Sequence, residues 1–231
     1  YDTGGKNIGT DKNENMRRQF IDRLCDKKFA FIIAAGRSGS TTLLNMVNEL
    51  PGYSLSGEHD GQFYAWYDLY KRFLQTQAHG NPRGTVKYQD LHLDVGKHLL
   101  AEREAWMHQK IHDIELFEMI QGWYYTHTGA HGVNGTYSKG DNIDPTRVVR
   151  GVKEIRYDND DLLDFISHVF PCAKFVFNTR NETFSKQAHS AFFSRTKKES
   201  DTLRGQAAYL YKYSQKEHMK DRSFYMYLED F

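Results

Sequence analysis

The residues that most plainly could do chemistry are Gly36-Arg37-Ser38-Gly39-Ser40-Thr41-Thr42. Glycines let the backbone curl so that successive N–H groups converge on one point. Arg37 and the hydroxyls of Ser38, Ser40, Thr41 and Thr42 bring further donors to the same place. Such a set suits an anion with several oxygens, a phosphate or a sulfate. It is not the loop of a nucleotide triphosphatase, which reads G-x-x-x-x-G-K-[ST]. Here Gly36 and Gly39 are three apart and no lysine follows the second glycine. Nor does an apolar strand end in an aspartate to hold magnesium, Asp60 being the one arguable candidate.

The elements that must position this loop are legible on either side of it. Phe29 to Ala35 is an apolar run of the kind a fully buried strand shows. After the loop, Leu43, Leu44, Val47 and Leu50 recur at helical spacing, so the loop opens a helix. A helix N-terminus adds about half a positive charge at that point. Pro51-Gly52 then makes a turn, and Tyr53–Ser56 reads as a second strand ending at Gly57-Glu58-His59-Asp60-Gly61.

Residues 62–127 read as mostly helical with a break at 80–84. Phe63, Tyr64, Trp66, Tyr67 and Tyr70 are expected to be a helix's core face, stacking on a sugar or aromatic acceptor being the alternative. His98, His108 and His112 are expected at solvated or core-edge positions, since no H-E-x-x-H or comparable ligand set is present. Residues 128–146 form a Gly/Asn/Asp/Ser loop long enough to suit a lid. Strands are expected at 147–157, 173–180 and 223–228, with helices at 160–170, 183–193 and about 199–218. Residues 1–15 read as a flexible lead-in, followed by a short helix from Met16 to Asp26. Strands alternating with helices imply a single three-layer α/β domain over residues 1–231, its central parallel sheet flanked by helices and P-loop-like.

Composition narrows the partners. Lys plus Arg is 31 against 30 for Asp plus Glu, so the net charge of +1 gives no reason to expect nucleic acid. No apolar run approaches the length of a membrane span. Cys25 and Cys172 lie far apart, in no metal spacing, and are expected as two buried free thiols. Asn134-Gly135-Thr136 and Asn181-Glu182-Thr183 match the glycosylation sequon, a pattern common by chance. The chain opens on Tyr1 with no visible signal peptide, as at a processing boundary. Phe224–Phe231 reads as a strand that stops mid-fold, so the C-terminal part of the domain is expected to be missing. The compartment stays open: cytoplasm by default, Golgi lumen if an anchor precedes the chain.

GRSGSTTLL closely resembles the 5′-phosphosulfate-binding loop of the sulfotransferases that use 3′-phosphoadenosine 5′-phosphosulfate (PAPS). GVKEIRY at 151–157 resembles a strand of that family, and FVFNTRN at 175–181 its 3′-phosphate-binding strand. YLEDF at 227–231 resembles its Y-E-D-L segment. The resemblance implies in-line transfer of a sulfuryl group from PAPS to an acceptor hydroxyl or amine, with adenosine 3′,5′-bisphosphate (PAP) as product and no metal. A small molecule, carbohydrate or peptide could serve as acceptor.

By the same resemblance, Arg37 and Ser38, Gly39, Ser40, Thr41 and Thr42 hold the 5′-phosphosulfate. In tyrosylprotein sulfotransferases the basic glutamate lies in a Gly-Glu pair at the spacing found here, 58 − 37 = 21 residues after the loop arginine. Glu58 is therefore the candidate general base, with His59 as the alternative. Lys153 corresponds to a lysine near the transferring group; a lysine in an otherwise apolar strand calls for such a reason, unless it points from the strand's end to solvent. Arg180 ends its strand where an arginine can clamp the 3′-phosphate. The family's serine eight residues on is Ala188 here, so Ser190, or else Ser185, is expected to replace it. A small-molecule or nucleotide kinase and a non-catalytic nucleotide- or glycan-binding module are the alternatives on the same scaffold.

Overall fold

The computed structural model describes residues 8–76, 102–104, 110–128, 148–181 and 197–230. The lid-like loop (apart from residue 128), the expected helix at 183–193 with Ser185, Ala188 and Ser190, and the break at 80–84 lie outside the described residues. In chain order the elements are α1 (Ile8–Cys25), β1 (Ala30–Ala34), α2 (Ser40–Asn48), β2 (Tyr53–Ser56) and α3 (Gln62–Thr76). There follow β3 (Glu102–Glu104), β4 (Lys110–His112), α4 (Asp113–His127), β5 (Val149–Glu154), α5 (Asp160–Val169) and β6 (Lys174–Thr179). The last are α6 (Lys197–Ser214), β7 (Ser223–Tyr227) and a 3₁₀ turn at Leu228–Asp230.

Five strands form one sheet in the order β2-β5-β1-β6-β7, every pairing parallel. Parallel neighbours need crossovers, and helices supply them on both faces. Alternate residues of β1 divide the core. Ile32 and Ala34 face α2 through Leu43 and Leu44, joined by Leu55 and Met226. Phe29, Phe31 and Ile33 point the other way, into a larger cluster with Phe63, Phe117, Tyr124, Phe165, Phe175 and Phe177. Phe31 has Phe63, Phe170 and Phe175 rings within 6 Å of its own. The apolar run that reads as a doubly buried strand is therefore the middle of a three-layer α/β structure.

Gly151 sets how closely β5 approaches β1. A β-carbon there would lie 1.7 Å from the Ala30 carbonyl oxygen, so no other residue fits. The register that results puts Lys153 opposite Ile32 and Glu154 opposite Ile33. Asn159 caps α5 by accepting the Leu162 N–H at 3.2 Å, with Asp160 and Asp161 in the positively polarised first turn.

Three expectations are corrected. α1 begins at Ile8 and continues through the supposed lead-in. The stretch near residues 99–112, expected to be helical, contains the short antiparallel pair β3–β4. Cys25 and Cys172 are not buried free thiols but a disulfide, with Cα atoms 5.3 Å apart. The fold makes them neighbours: α1 runs into β1, the turn after α5 runs into β6, and β1 and β6 pair side by side from Ala30↔Lys174 onward. Among α3's aromatics, Phe63, Tyr67 and Tyr70 are buried and Tyr64 and Trp66 pack against the core, as expected of a core face. Among the described residues, no helix is long and apolar enough to cross a membrane.

Candidate functional site

Every loop carrying a candidate residue leaves the C-terminal end of a strand, and all five strands are parallel, so these loops share one edge of the sheet. From β1 the chain leads through α2 toward one edge strand, β2; from β6 it leads toward the other, β7. A crevice at the carboxyl ends of strands, where the winding reverses, is where open α/β sheets bind ligands.

The loop after β1 is held from below by long-range contacts. Ser38 is completely buried and its hydroxyl donates to Asn178 Oδ1 on β6 at 2.7 Å. The Gly36 N–H donates to Gln206 Oε1 of α6 at 3.1 Å, and Gln206 Nε2 in turn donates to the Ile155 carbonyl at 2.7 Å. One side chain thus links the anion loop to the end of β5. Gly39 has φ +73°, a conformation that favours glycine, and a β-carbon on it would press on the Leu228 side chain, with Cδ2 at 2.2 Å. Arg37 also sits in the left-handed region, at φ 64°. Such strain persists only where surrounding structure imposes it, and it clusters at functional sites.

What the loop presents outward is chemically specific. Arg37, Thr41 and Thr42 are exposed, whereas Ser38 and Ser40 are buried. Gly39 makes no side-chain cap on α2, and no acidic residue lies in its first turn. The first N–H groups of α2 therefore keep their positive end without an internal carboxylate to neutralise it. Ser38 is the one loop residue whose hydroxyl is committed to holding the loop onto β6.

Lys153 does not point to solvent. It is 4% exposed, on the α2 face beside Ile32, and its Nζ pairs with Glu58 Oε1. Glu58, on the loop after β2, keeps about a third of its side chain exposed. That loop is itself fixed. His59 contacts Ser56 Oγ through Nε2 at 2.8 Å and Gln62 Oε1 through Nδ1 at 3.2 Å, so both its ring nitrogens are engaged. Asp60 at φ 58° and Gly61 at φ 73° turn the chain into α3. Glu154, fully buried on the face opposite Lys153, accepts the Gly61 N–H at 3.0 Å and the Ile155 N–H at 2.9 Å. Arg156 closes the group, with Glu154 at 3.2 Å, Asp60 at 3.3 Å and Glu58 at 3.6 Å.

Arg180 lies just past the end of β6, where its Nε donates to Glu229 Oε1 at 2.8 Å. Glu229's other oxygen accepts the Asn181 N–H at 3.0 Å. Burial alone would raise the Glu229 pKa, but the Asn181 N–H and Arg180 together hold it below the usual carboxylate range.

The structure thus brings together Glu58, Lys153 and His59, places the anion loop and Arg180 along the same sheet edge, and says nothing of Ser185 and Ser190. The sequence reading missed Asn178, Gln206 and Glu229 as supports. Of these, Asn178 left a trace as the polar residue that ends the apolar run Phe175-Val176-Phe177, and Glu229 as part of YLEDF at 227–231. Compared with known proteins, the chain matches no family model and no curated protein.

Proposed function

We propose that this chain is a PAPS-dependent sulfotransferase that moves a sulfuryl group to an acceptor hydroxyl, or amine, by in-line transfer. One juxtaposition supports it above all: a strand–loop–helix with an uncapped helix N-terminus and an exposed arginine shares its sheet edge with a buried lysine paired to a partly exposed glutamate. Anion-binding donors, a buried cation and a carboxylate base are the parts this reaction needs, because sulfuryl transfer, like phosphoryl transfer, leaves the protein mainly positioning and charge stabilisation to do.

The residues present fit the nucleotide. Arg37, Thr41, Thr42 and the first N–H groups of α2 would hold its 5′-phosphosulfate, and Arg180 its 3′-phosphate once Glu229 yields. Bound PAPS supplies the activated sulfuryl group. Glu58 takes the acceptor's proton, and an acceptor hydroxyl suits a carboxylate base. Lys153 holds positive charge where negative charge develops, and the loss of one such donor typically costs roughly 3 kcal/mol, about a hundredfold in rate. His59, with both nitrogens engaged, serves to hold the Glu58 loop.

Calorimetry with PAP tests this directly, and no binding at high micromolar concentration would overturn it. Transfer of labelled sulfate from PAPS, screened over phenol, sugar, peptide and amine acceptors, then identifies the acceptor class. Magnesium-dependent ATP turnover without PAP binding would indicate a kinase instead, and PAP binding without transfer to any acceptor a binding module.

A further inference from the structure

Glu58 touches two cations, one at each carboxylate oxygen: Lys153 at Oε1 and Arg156 near Oε2, at 3.6 Å. The two differ in what else holds them. Lys153 makes its ion pair with Glu58 from beside Ile32, and a lysine ammonium on its flexible stem can turn to another oxygen. Arg156 is tied down. Its Nη1 donates to Glu154, which is fully buried and is itself fixed by the Gly61 and Ile155 N–H groups. The Tyr64 hydroxyl donates to the Arg156 carbonyl at 3.0 Å, closing the residue from α3. A buried carboxylate needs a cation, so Glu154 fixes the guanidinium, and the guanidinium faces Glu58 and Asp60 together.

Resting on the sulfotransferase reading, we propose that Arg156 is the positioning residue for Glu58, holding its carboxylate aimed when Lys153 turns to the transferring group. Without a second cation, Glu58 would lose its only fixed partner at the moment its basicity is used. Arg156 supplies that partner from the opposite side, on a mount built from Glu154 and shared with the Gly61 turn.

The test compares wild type, R156Q and R156K by kcat and KM separately, with PAP affinity by calorimetry alongside. R156K keeps a cation at this position and should recover most of the turnover that R156Q loses. Turnover of R156Q at neutral pH should fall about tenfold, within the range a mispositioned base costs. PAP affinity should stay within about threefold, since Arg156 is not among the donors assigned to the nucleotide. Should R156Q fail to fold because Glu154 is left buried and unpaired, R156Q/E154Q removes both charges and carries the same comparison. No rescue of turnover by R156K, or a loss of PAP affinity that matches the loss of turnover, would overturn the role of Arg156 alone. A wild type that does not bind PAP would overturn the sulfotransferase reading, and this inference with it.

Discussion

Cys25 and Cys172 join chain segments 147 residues apart, and replacing both with serine should cost the protein much of its stability. In the chain-entropy account a cross-link restricts the unfolded ensemble, and at this separation the relation gives roughly 5 kcal/mol at 25 °C, at the upper end of the about 2–5 kcal/mol that removing native disulfides costs. Domains are held by about 5–15 kcal/mol in total, so the loss is a large share of the whole. The effect should be one of stability alone. The disulfide lies where α1 and the turn after α5 enter β1 and β6, at the end of the sheet opposite the anion loop. Urea unfolding of wild type, with and without reductant, and of C25S/C172S is the assay. With a urea dependence of about 2–3 kcal/mol per molar, the midpoint should drop by about 1–2 M in the variant and in reduced wild type alike. Thiol titration of unreduced, denatured wild type should find no reactive thiol. Disulfides persist in oxidising compartments, so protein made in a reducing cytoplasm should instead show both thiols and the lower midpoint. Two free thiols in material made under oxidising conditions, or a midpoint indifferent to reductant, would refute the reasoning.

Other expectations follow from single residues. Glu58→Gln should keep PAP affinity within about threefold while lowering transfer about 10²–10⁴-fold, as loss of a general base does; unchanged turnover would remove Glu58 from that role. Gly151→Ala forces a β-carbon against the Ala30 carbonyl and should lose about 3 kcal/mol or prevent folding, whereas Gly205→Ala, on α6 with nothing within 4 Å, should gain about 0.5–1 kcal/mol by denaturant midpoint. Burial pushes the Asp164 pKa up, but hydrogen bonds from His218 and Tyr213 and the nearby Lys216 charge outweigh it and leave the carboxyl lowered. A carboxyl lowered in the folded state stabilises fully above its unfolded value, near 4, and the contribution is lost as pH falls through the lower folded value. Urea midpoints should therefore fall between pH 5 and 3 more steeply for wild type than for Asp164→Asn, which lacks that titration.

How much of this was legible in the sequence depended on how far each contact reaches along the chain. β1 and β6 announce themselves through local apolar runs, β5 through alternation, and the anion loop through glycines and hydroxyls within seven residues. β3 and β4 do not, because Glu102-Arg103-Glu104 and Lys110-Ile111-His112 carry almost no apolar pattern, and pairing across the chain decides their state. The start of α1 was hidden for the opposite reason: after Ile8, residues 9–15 hold helical backbone with no apolar residue to mark a face. Within the site the division is sharper. The groups proposed to touch ligand are motif residues, readable one loop at a time. The groups that aim them are not: Ser38 meets Asn178 across 140 residues, Gly36 meets Gln206 across 170, and Glu154 meets Gly61 across 93. A parallel sheet makes this unavoidable, since its neighbouring strands are separated by whole crossovers, and residues side by side at its carboxyl edge come from distant segments. Arg156 shows the consequence. In the string GVKEIRY it looks like a partner for Glu154 two residues away, and that pairing is real at 3.2 Å. Only the fold swings the Gly57–Gly61 loop in beside it, and so turns a local ion pair into a mount for the proposed base.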